Sequence, residues 1–358
     1  MTWLVWRRFR LQAYVAAGLL IAVAIAFLVT GPHLAHVYDS VVRTCQTHGD
    51  CESVTQSFLT REHLLRDFTL VMILVPALVG IFWGAPLVAR EMESGTFRLA
   101  WTQIVSRSRW IATKLAVVGL ACVVVTGLFS LMVTWWASPF DAINDFPFST
   151  FDLRDIVPMG YAAFAFALGV TAGAVIRRTL PAMAATLVAY AGVRVAFTQW
   201  VRPRLLSPLH FAGLFSPFSF NGSTAIPGKG QSGDWITSET TYNAQGDVIG
   251  HDGGIGSSGG VLFHPAANGS GRVVFQGVGE CPNRFPNLQG GANRSNHVNS
   301  AMQEAINKCI ASFHLRDALT YQPASRYWTF QWYEMTIYIV LALLLAGFSW
   351  WWVRRRLS

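Results

Sequence analysis

The sequence predicts an all-α integral membrane protein of six transmembrane helices. A short cytoplasmic helix lies between spans 2 and 3, and a small extracellular domain between spans 5 and 6. Three observations carry this. First, Leu11–Tyr38, Phe68–Ala89, Leu115–Phe140, Ile156–Ile176 and Met335–Val353 hold no Asp, Glu, Lys or Arg, and Leu180–Val201 is broken only by Arg194. About 20 apolar residues cross a bilayer core as a helix, and lipid obliges the backbone to satisfy its own hydrogen bonds. Second, basic clusters recur between alternate spans. Third, residues 202–331 form a long segment rich in Gly, Ser and Asn.

The basic clusters set the orientation. Arg7, Arg8 and Arg10 precede span 1, and Arg90, Arg98, Arg107, Arg109 and Lys114 separate spans 2 and 3. Arg177 and Arg178 separate spans 4 and 5, and Arg354, Arg355 and Arg356 follow span 6. Short cytoplasmic segments collect Lys and Arg, so both termini are expected in the cytoplasm. The first apolar stretch lacks a small-residue cleavage signature and is read as a retained anchor, not a signal peptide. The net charge of +8 follows from topology: 13 Lys/Arg against two acids inside, 13 against 17 outside. It gives no indication of nucleic acid.

These boundaries place spans 1–5 and the loop 90–114 in residues 1–201, the extracellular domain in 202–331, and span 6 with its basic tail in 332–358. Within the outer domain, Asn221–Gly291 reads as turns and short strands, including Gly271–Gly277. Ser300 with Gln303 forms a capping box, followed by Met302, Ala305, Ile306, Cys309 and Phe313 at helical spacing. Cys122 lies in mid-span. The other four cysteines face the outside, where disulfides persist, and allow three pairings. Cys45–Cys51 and Cys281–Cys309 are favoured because each closes a local loop.

Several signals carry no chemistry. Gly254-Ile-Gly256-Ser-Ser-Gly259 fits G-x-G-x-x-G, but the sequence predicts no strand before it and no helix opening from it. No zinc-protease helix is present. His33 and His36 share a helix face at the membrane edge and read as interfacial residues, so no metal is assigned.

The informative segment is the inner loop Arg90–Lys114. Gly95 can end a helix continuing from span 2, and Thr96 can cap a new one. Phe97, Leu99, Ala100, Trp101 and Ile104 give that helix an apolar side, and Ser106 can cap the helix into span 3. On these residues alone it is an amphipathic helix at the inner membrane surface.

The loop resembles the coupling segment of ABC-2 type transporter permeases. Arg90-Glu91, Gly95-Thr96, Ser106-Arg107 and Lys114 carry the resemblance, with Ile104 where the family often has Pro. The layout of spans is similar too, and Tyr321–Glu334 resembles actinobacterial members. The low share of Lys, three among 27 basic residues, fits a high-GC genome. The resemblance implies a permease in the bacterial cell membrane that binds no cofactor itself. ATP and Mg²⁺ would sit on two copies of a separate cytoplasmic ATP-binding subunit, and a second permease copy would complete the complex. Glu91, Glu93, Arg98, Arg107 and Arg109 would then supply a polar contact, with Gly95, Thr96, Leu99, Trp101 and Ser106 shaping the coupling helix. If Glu91 is exposed, reversing its charge should cost little, since exposed pairs contribute about 0–1 kcal/mol.

The substrate pathway, by the same resemblance, involves spans 2 and 5: Pro76, Phe82, Trp83, Arg194 and Phe197. Arg194 is costly in lipid, so it faces a cavity or a partner, or else snorkels outward. A lipophilic or amphipathic cargo is expected. The alternative class is a membrane sensor or immunity protein whose outer domain binds a ligand without transport.

Overall fold

The computed structural model describes residues 2–48, 74–94, 107–144, 151–214, 234–251, 254–255, 261–265, 270–275, 279–280, 285–286, 308–309 and 311–356. Six helices are long and apolar enough to cross a membrane: Phe9–Pro32, Leu74–Glu93, Ser108–Ser138, Val157–Ile176, Thr179–Arg204 and Ala324–Arg355. The chain divides into two compact units. One comprises Met1–Ile143, Ser149–Leu205 and Tyr327–Ser358, the other Asn144–Phe148 and Leu206–Arg326.

The first unit is helical. Helix α1 (Thr2–His48) has 47 residues and continues through Pro32 and past the apolar stretch that ends at Tyr38. A proline removes one backbone donor but does not end a membrane helix whose neighbours satisfy what it frees. Span 2, here α2 (Leu74–Glu93), contains a π-helical turn at Gly80–Gly84. Then follow α3 (Arg107–Asn144), α4 (Val157–Ile176), α5 (Thr179–Ala196) and α6 (Tyr327–Arg356).

Membrane helices gain little from excluding water, so close backbone approach matters. Gly80-Ile-Phe-Trp-Gly84 on α2 faces Gly169-Val-Thr-Ala-Gly173 on α4. A methyl on Gly80 would lie 2.6 Å from the Ala165 carbonyl oxygen, and one on Gly173 would lie 2.5 Å from that of Ala85. Beside this seam, buried Trp83 meets Phe9 edge-on, with ring centroids 4.8 Å apart. Helix α1 is held to α3 by Phe27 stacked on Trp136 at 4.9 Å. The Trp136 indole also donates to Thr30 Oγ1 at 2.9 Å.

The segment Phe151–Ile156, before α4, is packed among helices and tied to them by hydrogen bonds. Ser130 Oγ donates to the Asp155 carbonyl at 2.8 Å. From α6, Gln331 accepts from the Val157 amide at 3.0 Å and donates to the Phe151 carbonyl at 3.2 Å.

The second unit corrects the all-α expectation, because it is built on β-sheet. Strands β1 (Leu209–Leu214), β2 (Trp235–Tyr242), β3 (Val248–His251), β4 (Gly254–Ile255) and β9 (Arg316–Gln322) form an antiparallel sheet in the order β1-β9-β2-β3-β4. The β2–β3 turn places Gly246 at φ 93°, where glycine carries no steric cost. Leu319 and Tyr321 pack with Phe211 and Ile236 on this sheet. A second sheet holds β5 (Val261–Pro265), β6 (Ser270–Phe275), β7 (Gly279–Glu280) and β8 (Phe285–Pro286). Strand β6 covers most of the strand expected at Gly271–Gly277. Most of the helix expected after Ser300 lies outside the described residues.

Candidate functional site

Two polar clusters stand out in the helical unit, one towards each end of the spans. The first lies at the end opposite the basic clusters and joins α4, α5 and α6. Arg202 donates from Nε to Glu334 Oε2 at 2.8 Å and from Nη2 to Glu334 Oε1 at 2.9 Å. Its Nη2 also reaches Asp152 and, at 3.2 Å, the Tyr161 hydroxyl. Arg194 donates from Nη1 to Glu334 Oε1 at 3.1 Å, and its Nη2 lies 3.0 Å from Asp152 Oδ1. The Tyr161 hydroxyl lies 2.6 Å from Glu334 and 2.9 Å from Asp152. Two guanidiniums and two carboxylates thus neutralise one another.

Aromatic rings enclose the charges. The Arg194 guanidinium lies 3.7 Å from the centre of the Tyr161 ring, and that of Arg202 lies 4.6 Å from the Phe151 ring. Cations are stabilised over such faces. Glu334 is fully buried, while the Asp152 side chain keeps 25% of its exposure. Burial alone would raise the Asp152 carboxyl. The charges of Arg202 and Arg194, with hydrogen bonds from Arg202 and Tyr161, outweigh it and hold the group down at about 2. Such a cluster is suited to fixing three helices against one another, because separating them would strand charges in a medium that does not solvate them.

The second cluster lies at the basic ends, where α2 meets the loop 90–114. Lys114 Nζ on α3 pairs with Glu91 Oε1 at 2.6 Å and donates to the Leu87 carbonyl at 3.3 Å. It also lies 4.0 Å from the Trp110 ring centre. Two residues on, Glu93 Oε2 accepts from the Thr179 hydroxyl at 2.6 Å and the Thr179 amide at 3.2 Å, at the start of α5. Ser94 closes α2 by donating from its amide and hydroxyl to the Arg90 carbonyl at 3.1 and 2.8 Å.

Several sequence-predicted residues are placed by this geometry. Glu91, offered for the polar contact, has a side chain 12% exposed and turned into the bundle, where it meets the Lys114 ammonium. Glu93 and Arg109 are exposed. Gly95, Thr96, Arg98, Leu99, Trp101 and Ser106 lie outside the described residues; Arg107 opens α3, but its side chain is not described. Of the pathway residues, Pro76, Trp83 and Phe197 are buried, and Phe82 is exposed. Arg194 faces partners within the chain, so it neither snorkels nor offers a free cation to cargo. Cys122 is free and buried. Cys309 is disulfide-bonded, and its partner falls outside the described residues, as do the side chains of Cys45, Cys51 and Cys281. Among the described residues no group of three His, Cys, Asp or Glu could hold a metal ion.

The charge network was not expected from sequence. Asp152, Arg202 and Glu334 each stand just outside an apolar run, within four residues of its end. Opposite charges at matching ends of spans 4, 5 and 6 were the available signal. Gly-x-x-x-Gly at 80–84 and 169–173 was likewise legible as a packing motif.

A comparison of the sequence with family models matches residues 17–202, just over half of the chain, to the family described as ABC-2 membrane transporter related. Neither the curated proteins nor the solved structures give a match.

Proposed function

Because the chain belongs to the ABC-2 membrane transporter related family, we propose that it is the membrane-spanning permease subunit of an ATP-driven ABC transporter. ATP and Mg²⁺ bind a separate cytoplasmic subunit, present in two copies, and a second copy of this chain completes a homodimer. The complex exports a lipophilic or amphipathic compound across the cell membrane, with both termini of this chain cytoplasmic.

The observation that carries this reading is the extent of the family match. Residues 17–202 take in most of span 1, all of spans 2 to 4, nearly all of span 5 and the whole loop 90–114. The structure adds a physical reason for the loop to matter. Its two flanking helices are tied by the buried Glu91–Lys114 pair, so a force on the loop reaches α2 and α3 together.

Co-expression with a candidate ATP-binding subunit, followed by reconstitution in lipid vesicles, tests the proposal. The two chains should co-purify, and ATP hydrolysis should rise above that of the isolated subunit. Gly95→Val should insert normally yet abolish that rise, because a branched side chain disfavours the left-handed turn expected there. Absence of co-purification, with ATP hydrolysis indifferent to the permease, would overturn the reading.

A further inference from the structure

Glu91 and Glu93 stand two residues apart at the end of α2, about 200° apart around the helix axis. They therefore reach in different directions. Glu91 holds α3 through Lys114, and Glu93 holds α5 through Thr179.

The second contact meets a need of α5. Helix α4 ends in a left-handed residue, Arg177 at φ 61°, and Arg178 is extended, so α5 starts after a two-residue turn. Arg178 makes no side-chain cap. The first amides of a helix lack internal partners, and a carboxylate is favoured at that end by the helix dipole. Glu93 supplies one from a different helix, taking both the amide and the hydroxyl of Thr179. Behind it, fully buried Ala85 and Ala89 of α2 pack on fully buried Ala182 of α5.

Helix α5 is a stiff connector. Its 18 residues span about 27 Å. Arg194, near its far end, and Arg202, just beyond it, belong to the charge network with Glu334 of α6. One end of α5 is thus clamped at the root of the inner loop, and the other is locked to α4 and α6.

We propose that Glu93 is a positioning residue for transport. By capping α5 from the end of α2, it passes movement of the inner loop to α5 and so to the charge network at the opposite end. This rests on the permease reading. It assigns Glu93 to a contact within the chain, not to the surface that meets the ATP-binding subunit.

The test uses the full complex in lipid vesicles, with Gln199→Cys as a reporter. Gln199 is exposed in the Phe197–Val201 turn that extends α5. Its rate of modification by a water-soluble maleimide is measured with and without ATP and orthovanadate, against the chain lacking the reporter. ATP should change the rate in the parent. Adding Glu93→Ala should shrink that response by about fivefold or more, the lower end of ordinary coupling between two sites. Glu93→Gln, which keeps an acceptor oxygen, should preserve part of it, and Thr179→Ser, which keeps the hydroxyl, should preserve most.

Glu93→Ala should still co-purify with the ATP-binding subunit. An unchanged ATP response in Glu93→Ala would overturn the inference, as would no ATP response in the parent complex. Loss of the subunit from Glu93→Ala would make Glu93 a docking contact and also overturn it. Failure of the parent chain to hold an ATP-binding subunit would sink the permease reading itself.

Discussion

Arg202 places Nε and Nη2 on the two oxygens of Glu334, at 2.8 and 2.9 Å, across 132 residues of sequence. This two-pronged geometry suits guanidinium and carboxylate, and it is what lysine cannot reproduce. Because Glu334 has no access to solvent, it depends on Arg202, Arg194 and Tyr161 to carry its charge.

Glu334→Ala should therefore destabilise the helical unit by about 3–5 kcal/mol, the usual cost of leaving a buried charge without its partner. Replacing both ends, as in Arg202→Met with Glu334→Leu, should recover much of that loss. Thermal melts in detergent read both. A double variant worse than the sum of the two singles would contradict the pairing.

Asp152 makes the network sensitive to strong acid. Its folded carboxyl titrates at about 2, against an ordinary value of 3.8. A depressed acid contributes stability that is present above the unfolded value and is lost as pH falls through the folded one. Melting temperature should thus fall as pH drops from about 4 towards about 2. Asp152→Asn should melt lower at neutral pH and show a shallower fall across that window. Equal slopes for the two proteins would count against the assignment.

Close approach of α2 and α4 gives a steric prediction. A methyl on Gly169 would lie 2.4 Å from the Gly80 carbonyl oxygen, a contact that only backbone movement relieves. Gly169→Ala should cost about 1–3 kcal/mol through overpacking. Gly192→Ala, where nothing lies within 4 Å, serves as the control and should be near neutral. Equal melting temperatures for the two variants would refute the seam.

Burial changes the expectation for Glu91. An exposed pair would make charge reversal mild, but Lys114 is 6% exposed and Glu91 12%. Glu91→Lys should sharply reduce the yield of folded protein, because it sets two ammonium groups together in a poorly solvated place. Combining it with Lys114→Glu should restore part of the yield, measured by size-exclusion chromatography. No rescue by the charge swap would show that the pair is not what Glu91 contributes.

How much was legible from sequence differs by feature. Spans 3 to 6 lie where the apolar stretches put them, since an unbroken run of that kind has few alternatives to a membrane helix. Helix α1 continues to His48, past the apolar stretch that ends at Tyr38, and the apolar pattern does not mark that end. Strand β9 was missed because Arg316–Gln322 is short and mixes polar with apolar residues. It becomes a central strand only by pairing with β1 and β2. Arg194 was recognised as an anomaly within span 5, but its partners were not, since Asp152 and Glu334 lie in the segments before spans 4 and 6.

The sequence by itself determined which segments cross the membrane and which family the loop at 90–114 resembles. Both are local properties: about 20 apolar residues make a span regardless of their neighbours. Only the tertiary structure decided what the charges near the span ends do. Asp152, Arg194, Arg202 and Glu334 could each have faced water, and Glu91 could have met a partner subunit. Their roles follow from which helices lie side by side. That choice is made by backbone contact at Gly80, Gly84, Gly169 and Gly173, and by pairing of charges far apart in sequence, neither of which any single segment encodes.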